Sequence, residues 1–134
     1  MIGLRAFLSK PRNQALTFLL VTFASYFFFA RPVEYAQDIQ VIGNRAYLAT
    51  GLDGLRILDV SNPEAPLEIG NYDGPGDVKA VFVQDDRAYL ASGRAGLVIL
   101  DIRDPQNIRQ LGVYNTKGFA QDVVVMDRRA FVSD

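Results

Sequence analysis

Two aspartates recur at the same place in a repeated phrase. Asp59 closes "LRILD" at 55–59, ahead of Ser61-Asn62-Pro63, and Asp101 closes "LVILD" at 97–101, ahead of Arg103-Asp104-Pro105. An acid repeated at fixed spacing is a candidate cation ligand. Ahead of a proline-bearing loop it is also an acceptor for the loop's own backbone amides, the commoner use of Asp beside a turn. We adopt the second reading. Asp38 and Asp122 also share a register, with Ala80 between them, so alternate copies of the repeat place an acid at one position. "NYDGPGD" at 71–77 has the acids of a calcium loop but neither their spacing nor a closing glutamate, and it reads as a turn.

Other chemistry is thin. The chain has no histidine and no cysteine. That removes the commonest general base, the thiolate metal ligands and any disulfide. No serine or threonine has a histidine to activate it. No glycine-rich loop leads from a strand into a helix, as a phosphate cradle requires. The expectation is a non-enzymatic protein with no catalytic residue, no cofactor and no metal site.

The elements that carry these residues fall into two parts. Residues 1–31 hold Arg5, Lys10, Arg12 and Arg31 and no acid, whereas the remainder holds ten bases and all fifteen acids, a net of −5. A basic head on an acidic body suits a membrane-facing end and a solvated end. It argues against nucleic acid as a partner, because phosphate binding needs a concentrated basic face.

Asn13 to Ala30 reads "NQALTFLLVTFASYFFFA" without a charge. A helix of that length spans about 27 Å, close to the roughly 30 Å of a hydrocarbon core. The spacing predicts a transmembrane helix at 13–30, after a basic cytoplasmic segment at 1–12 and before a linker at 31–35. A cleaved signal peptide is the rival, with a site at Thr22-Phe23-Ala24, but "SYFFFA" carries the apolar run past it. We favour an uncleaved signal anchor. The bases before the span put the N-terminus in the cytoplasm and the body in the periplasm or outside the cell. On a helical wheel Ala15, Thr22 and Ser25 share one side with Phe18 and Phe29 near them. That side suits packing against another transmembrane helix, and the plainer alternative is a span facing only lipid.

The body repeats. Shifted by 42 residues, the chain overlays on itself without a gap: "RAYLATG" at 45–51 meets "RAYLASG" at 87–93, and "GLRILDVSNP" meets "GLVILDIRDP". A third copy starts at 120–134. Each unit reads as four short strands: 39–42, 45–50, 55–60 and 67–72 in the first copy. The third is apolar on both faces, as a strand between two neighbours must be. Tyr47, Tyr89 and Phe131 align, as do Tyr72 and Tyr114, and aromatics repeated in this way read as packing.

Leu55, Ile57 and Asp59 in one copy, and Leu97, Ile99 and Asp101 in the next, carry a resemblance to the LVIVD repeat, a family of bacterial and archaeal surface proteins. The Asn-Pro and Asp-Pro that follow fit it too. The resemblance implies a β-propeller and an extracytoplasmic location, and it implies no established activity. Four strands per 40–45 residues is also the arithmetic of a propeller blade. The expected fold is therefore mainly β, with β-propeller-type four-stranded blades in an incomplete propeller behind one N-terminal transmembrane helix. Blade 1 covers 36–77, blade 2 covers 78–119, and 120–134 begins blade 3.

Members resembling this chain carry more repeats, so a fragment of a longer propeller is the first expectation. A short chain completed by copies of itself or by another subunit is the second, and two blades standing alone the third. The function expected is a membrane-anchored binding or scaffold module. Its inter-strand loops at 51–54 and 93–96 would face a protein or polysaccharide. The alternative is a small single-pass accessory subunit of a membrane complex, assembled through its aromatic helix. The partners implied are the membrane and a protein held by the helix or by blade edges.

Overall fold

The computed structural model describes residues 35–134. The expected helix at 13–30, its side chains Ala15, Phe18, Thr22, Ser25 and Phe29, and the basic segment 1–12 lie outside the described residues.

The described residues form ten strands and the turns between them. These are β1 (Asp38–Ile42), β2 (Arg45–Ala49), β3 (Leu55–Asp59), β4 (Leu67–Tyr72), β5 (Ala80–Gln84), β6 (Arg87–Ala91), β7 (Leu97–Asp101), β8 (Arg109–Tyr114), β9 (Asp122–Met126) and β10 (Arg129–Ser133). Neighbours in sequence pair antiparallel. β1 to β4 make the first sheet, β5 to β8 the second, and β9 with β10 the third. The mainly β expectation and the four-stranded units stand. The strand ends shift by one residue where the chain starts to turn: Thr50 donates its amide to the Gly54 carbonyl at 2.9 Å and so closes the turn rather than extending β2.

Local chemistry sets the meander. The hairpins β1–β2, β5–β6 and β9–β10 turn on two residues, and the first of each pair has a positive φ: Gly43 at 57°, Asp85 at 54°, Asp127 at 50°. Glycine adopts that region freely, and aspartate tolerates it better than most side chains. The registers repeat as the sequence does. Arg45 lies opposite Asp59 and Tyr47 opposite Ile57, while Arg87 lies opposite Asp101 and Tyr89 opposite Ile99.

Both four-stranded sheets carry an irregularity at one position. The β3–β4 register shifts between Ile57 and Leu58, and the β7–β8 register between Ile99 and Leu100. The extra residue is Ile69 in the first sheet and Leu111 in the second. A bulge re-aims the side chain it inserts. Ile69 packs against the core between the first two sheets, whereas Leu111 is 52% exposed.

The core lies between sheets. Tyr47, Ala49, Leu55 and Ile57 of the first sheet share a cluster with Val81, Val83, Ala88, Leu90, Val98 and Leu100 of the second. The opposite face of the second sheet, with Ala80, Ala91 and Leu97, meets Ala120 and Val123 at the third. The second sheet is thus buried on both faces. This accounts for Val98 and Leu100 in β7, where β3 has the half-buried Arg56 and Leu58. Arg56 pairs with Glu68 across the strands at 3.2 Å.

Candidate functional site

The repeated aspartates serve their own loops. Asp59 Oδ1 accepts the Ser61 amide at 2.8 Å, and Asp101 Oδ1 accepts the Arg103 amide at 3.1 Å. Asp101 also holds two guanidinium groups, with Arg103 Nε at 3.0 Å and Arg109 Nη2 at 3.1 Å. Hydrogen bonds from Arg103 and then from Arg109 hold the Asp101 carboxyl well below the ordinary carboxylate range. Hydrogen bonds from the Ser61 side chain and amide lower Asp59 in the same direction. These carboxylates are already occupied by donors. Among the described residues no three acids gather where they would hold a metal ion.

Asp38 plays a different part. Its Oδ1 accepts the Ile39 amide at 2.8 Å, and its Oδ2 reaches the second sheet to accept the Val81 amide at 3.0 Å. Two residues on, Gln40 Oε1 accepts the Val83 amide at 2.6 Å and Gln40 Nε2 donates to the Val83 carbonyl at 3.3 Å. The free edge of β5 is satisfied by side chains of β1. The second sheet has Ala80 and Phe82 at the matching positions and offers no such groups to the third. There Asp122 Oδ1 accepts the amide of its own neighbour Val123 at 2.8 Å. The alternation of Asp38, Ala80 and Asp122 is thus a pattern of backbone satisfaction. Nothing in the sequence near Gln40 signals that its amide will meet a strand 43 residues on.

The loops expected to form a binding face are partly structural. Gly51 exchanges two backbone hydrogen bonds with Val78, at 3.1 and 2.9 Å, and Gly93 does the same with Ala120, at 3.2 and 2.9 Å. Each glycine ties its sheet to the strand entering the next. Only the tips project: Leu52 is 81% exposed, and Arg94 is exposed too.

The aligned aromatics divide by what covers them. Tyr47 lies in the first core, and Tyr89 packs against the second. Tyr72 donates its hydroxyl to Gln110 Oε1 in the next sheet at 2.5 Å, and burial raises its pKa. Tyr114 and Phe131 are 69% and 53% exposed.

A cleft of about 550 Å³ among the described residues is lined in part by Tyr89, Asp101, Arg103, Leu111 and Arg128. It lies where the second sheet faces β9 and β10. Its guanidinium groups are matched by the carboxylates of Asp85, Asp86 and Asp101, so it is not a net anion trap.

Repeated antiparallel sheets, stacked face to face through apolar clusters and carrying acids committed to loop amides, define a β-repeat protein. The repeat is a specific one. The family model described as the LVIVD repeat matches residues 34–74 and 75–116, more than half of the chain, and the chain belongs to that family. No curated protein matches the sequence.

Proposed function

We propose that this chain is a membrane-anchored, extracytoplasmic binding or scaffold module of β-propeller type, without catalytic chemistry of its own. The observation that carries the reading is the stacking of like sheets about a shared seam, with β1 clasping β5 through Asp38 and Gln40. Stacked four-stranded meanders are the building principle of propellers. The acids that recur with the repeat are committed to loop amides and arginines, which leaves exposed loop tips and sheet faces as the surfaces for recognition. The uncharged run from Asn13 to Ala30, flanked by bases, supports the anchor and its orientation. The partner classes are the membrane and a protein, with no nucleic acid.

Exchange of residues 13–30 for a neutral polyleucine span tests the anchor against the alternative, an accessory subunit assembled through its aromatic helix. A simple anchor keeps the protein in the membrane and leaves its native complexes intact. Loss of a native complex with membrane retention unchanged supports the subunit reading instead.

A further inference from the structure

Asp-Gly occurs twice in the chain, at 53–54 and 73–74, and Asn-Gly does not occur. This dipeptide carries a chemistry of its own. The glycine nitrogen can attack the aspartate carboxyl, because glycine has no β-carbon to hinder the approach. The two pairs sit in opposite surroundings. Asp53–Gly54 is held inside the β2–β3 turn. The Asp53 amide donates to the Thr50 carbonyl at 3.2 Å, and the Gly54 amide donates to the Gly51 carbonyl at 3.1 Å. Gly54 is buried, and a β-carbon on it would collide with the Tyr72 carbonyl. Asp73–Gly74 instead opens the linker from β4 to β5. The Asp73 side chain is 72% exposed. Among the described residues the Gly74 amide donates to no backbone carbonyl.

We infer that Asp73–Gly74 is a modification site, where the folded protein forms a succinimide and converts to isoaspartate. The Gly74 nitrogen bonds to Asp73 Cγ. The carboxyl oxygen leaves with the amide proton and a second proton as water, and a five-membered ring closes. Water then reopens the ring. Addition at Cγ restores aspartate. Addition at the main-chain carbonyl breaks the original peptide bond and leaves the chain running through the side-chain carboxyl. No oxidant or reductant takes part. Packing keeps the labile pair in place. A β-carbon on Gly74 would run into the Tyr72 ring, and the hydroxyl of that ring is tied to Gln110 Oε1. A larger residue, which would protect the bond, has no room. The linker one repeat on is built differently: Asn115 is followed by the β-branched Thr116, which hinders attack, and Asn115 Oδ1 already accepts the Lys117 amide at 2.7 Å. Isoaspartate adds one carbon to the path from Tyr72 to Val78. The Val78 amide donates to the Gly51 carbonyl at 2.9 Å, so conversion loosens the tie between the first two sheets.

The inference needs neither the anchor nor the location, so its failure would leave those readings untouched. The test incubates the full 134-residue chain in detergent micelles and heavy-oxygen water, at neutral pH and growth temperature. Trypsin cuts after Arg45, Arg56 and Lys79, so the two Asp-Gly pairs fall in separate peptides, 46–56 and 57–79. Electron-based fragmentation distinguishes isoaspartate from aspartate at equal mass. In the folded chain, isoaspartate carrying one heavy oxygen should accumulate at Asp73 about fivefold faster than at Asp53, the factor set by one net hydrogen bond that the turn must break first. Hydrogen exchange at the Val78 amide should speed up in the converted fraction. In denaturant the two rates should converge. Asp73→Glu, which would need a six-membered ring, should abolish conversion in peptide 57–79. Equal rates at Asp53 and Asp73 in the folded chain overturn the inference. So does conversion of Asp73 only in denaturant. So does unchanged conversion in the Asp73→Glu peptide, which would move the chemistry to Asp59 or Asp77.

Discussion

Gln40 grips both backbone groups of Val83, accepting its amide at 2.6 Å and donating to its carbonyl at 3.3 Å. Together with the bond from the Val81 amide to Asp38, this closes the seam between the first two sheets at the edge strand β5. An uncapped edge strand is open to pairing with other chains. The clasp therefore supplies stacking energy and shields the edge from promiscuous pairing.

Gln40→Ala leaves the Val83 amide and carbonyl without their partner. A lost hydrogen bond of this kind costs about 0.5–1.5 kcal/mol, and more where the orphaned group stays buried. Denaturant melts of Gln40→Ala and Asp38→Ala should each show destabilisation on that scale. Hydrogen exchange should speed up at Val83 in the first variant and at Val81 in the second.

Gly70 and Gly112 are repeat mates with opposite surroundings. Gly70→Ala drives a methyl into the Pro105 carbonyl, and overpacking of this type costs about 1–3 kcal/mol. Gly112→Ala meets open space and removes a flexible residue from a strand, so its stability should hold or rise by up to about 1 kcal/mol. Melting both variants side by side checks the asymmetry.

Thr50 and Ser92 form a third contrast. Thr50 Oγ1 donates to the Gly54 carbonyl at 2.9 Å, while the buried Ser92 hydroxyl has no partner among the described residues. Thr50→Ala should cost about 1 kcal/mol. Ser92→Ala should cost nothing or stabilise, because it removes a buried hydroxyl that makes no hydrogen bond. Chemical denaturation of the two alanine variants separates these outcomes.

Acid should loosen the β3 and β7 loops. Asp59 and Asp101 have folded-state pKa values below their unfolded ones. Their contribution is therefore fully present above the unfolded carboxylate pKa of about 3.9 and is lost as pH falls below it. Asp101→Asn removes that group's share, so its stability should fall less steeply than the parent's between about pH 4 and pH 2. A pH series of denaturant melts on parent and variant reads this directly.

The sequence makes the repeat plain because the features that define it are local. The paired glycines, the alternating "RAYLA" and the "LxILD" run each act within a few residues, and they place every strand to within one residue. What it conceals is contact between units. Asp38 and Gln40 look like polar positions on an ordinary half-exposed strand, and only stacking brings them to β5. The bulged residues Ile69 and Leu111 are equally hidden, since a register shift depends on both strands. Repeat alignment also hides differences of environment. Tyr72 and Tyr114 read alike, yet one bonds to the next sheet and the other faces solvent.

The most direct test of the anchored, extracytoplasmic reading exploits a chain without cysteine. Two single-cysteine variants suffice. Leu52→Cys sits on a loop tip where the parent side chain is 81% exposed, and Ser9→Cys lies in the basic segment before the apolar run. Intact source cells are treated with a membrane-impermeant maleimide, and the membranes are then washed with carbonate. The account predicts that the Leu52 variant is labelled in intact cells, that the Ser9 variant is labelled only after the inner membrane is opened, and that both stay with the membrane. Labelling of Leu52→Cys only after lysis, or release of both variants by carbonate, would contradict it.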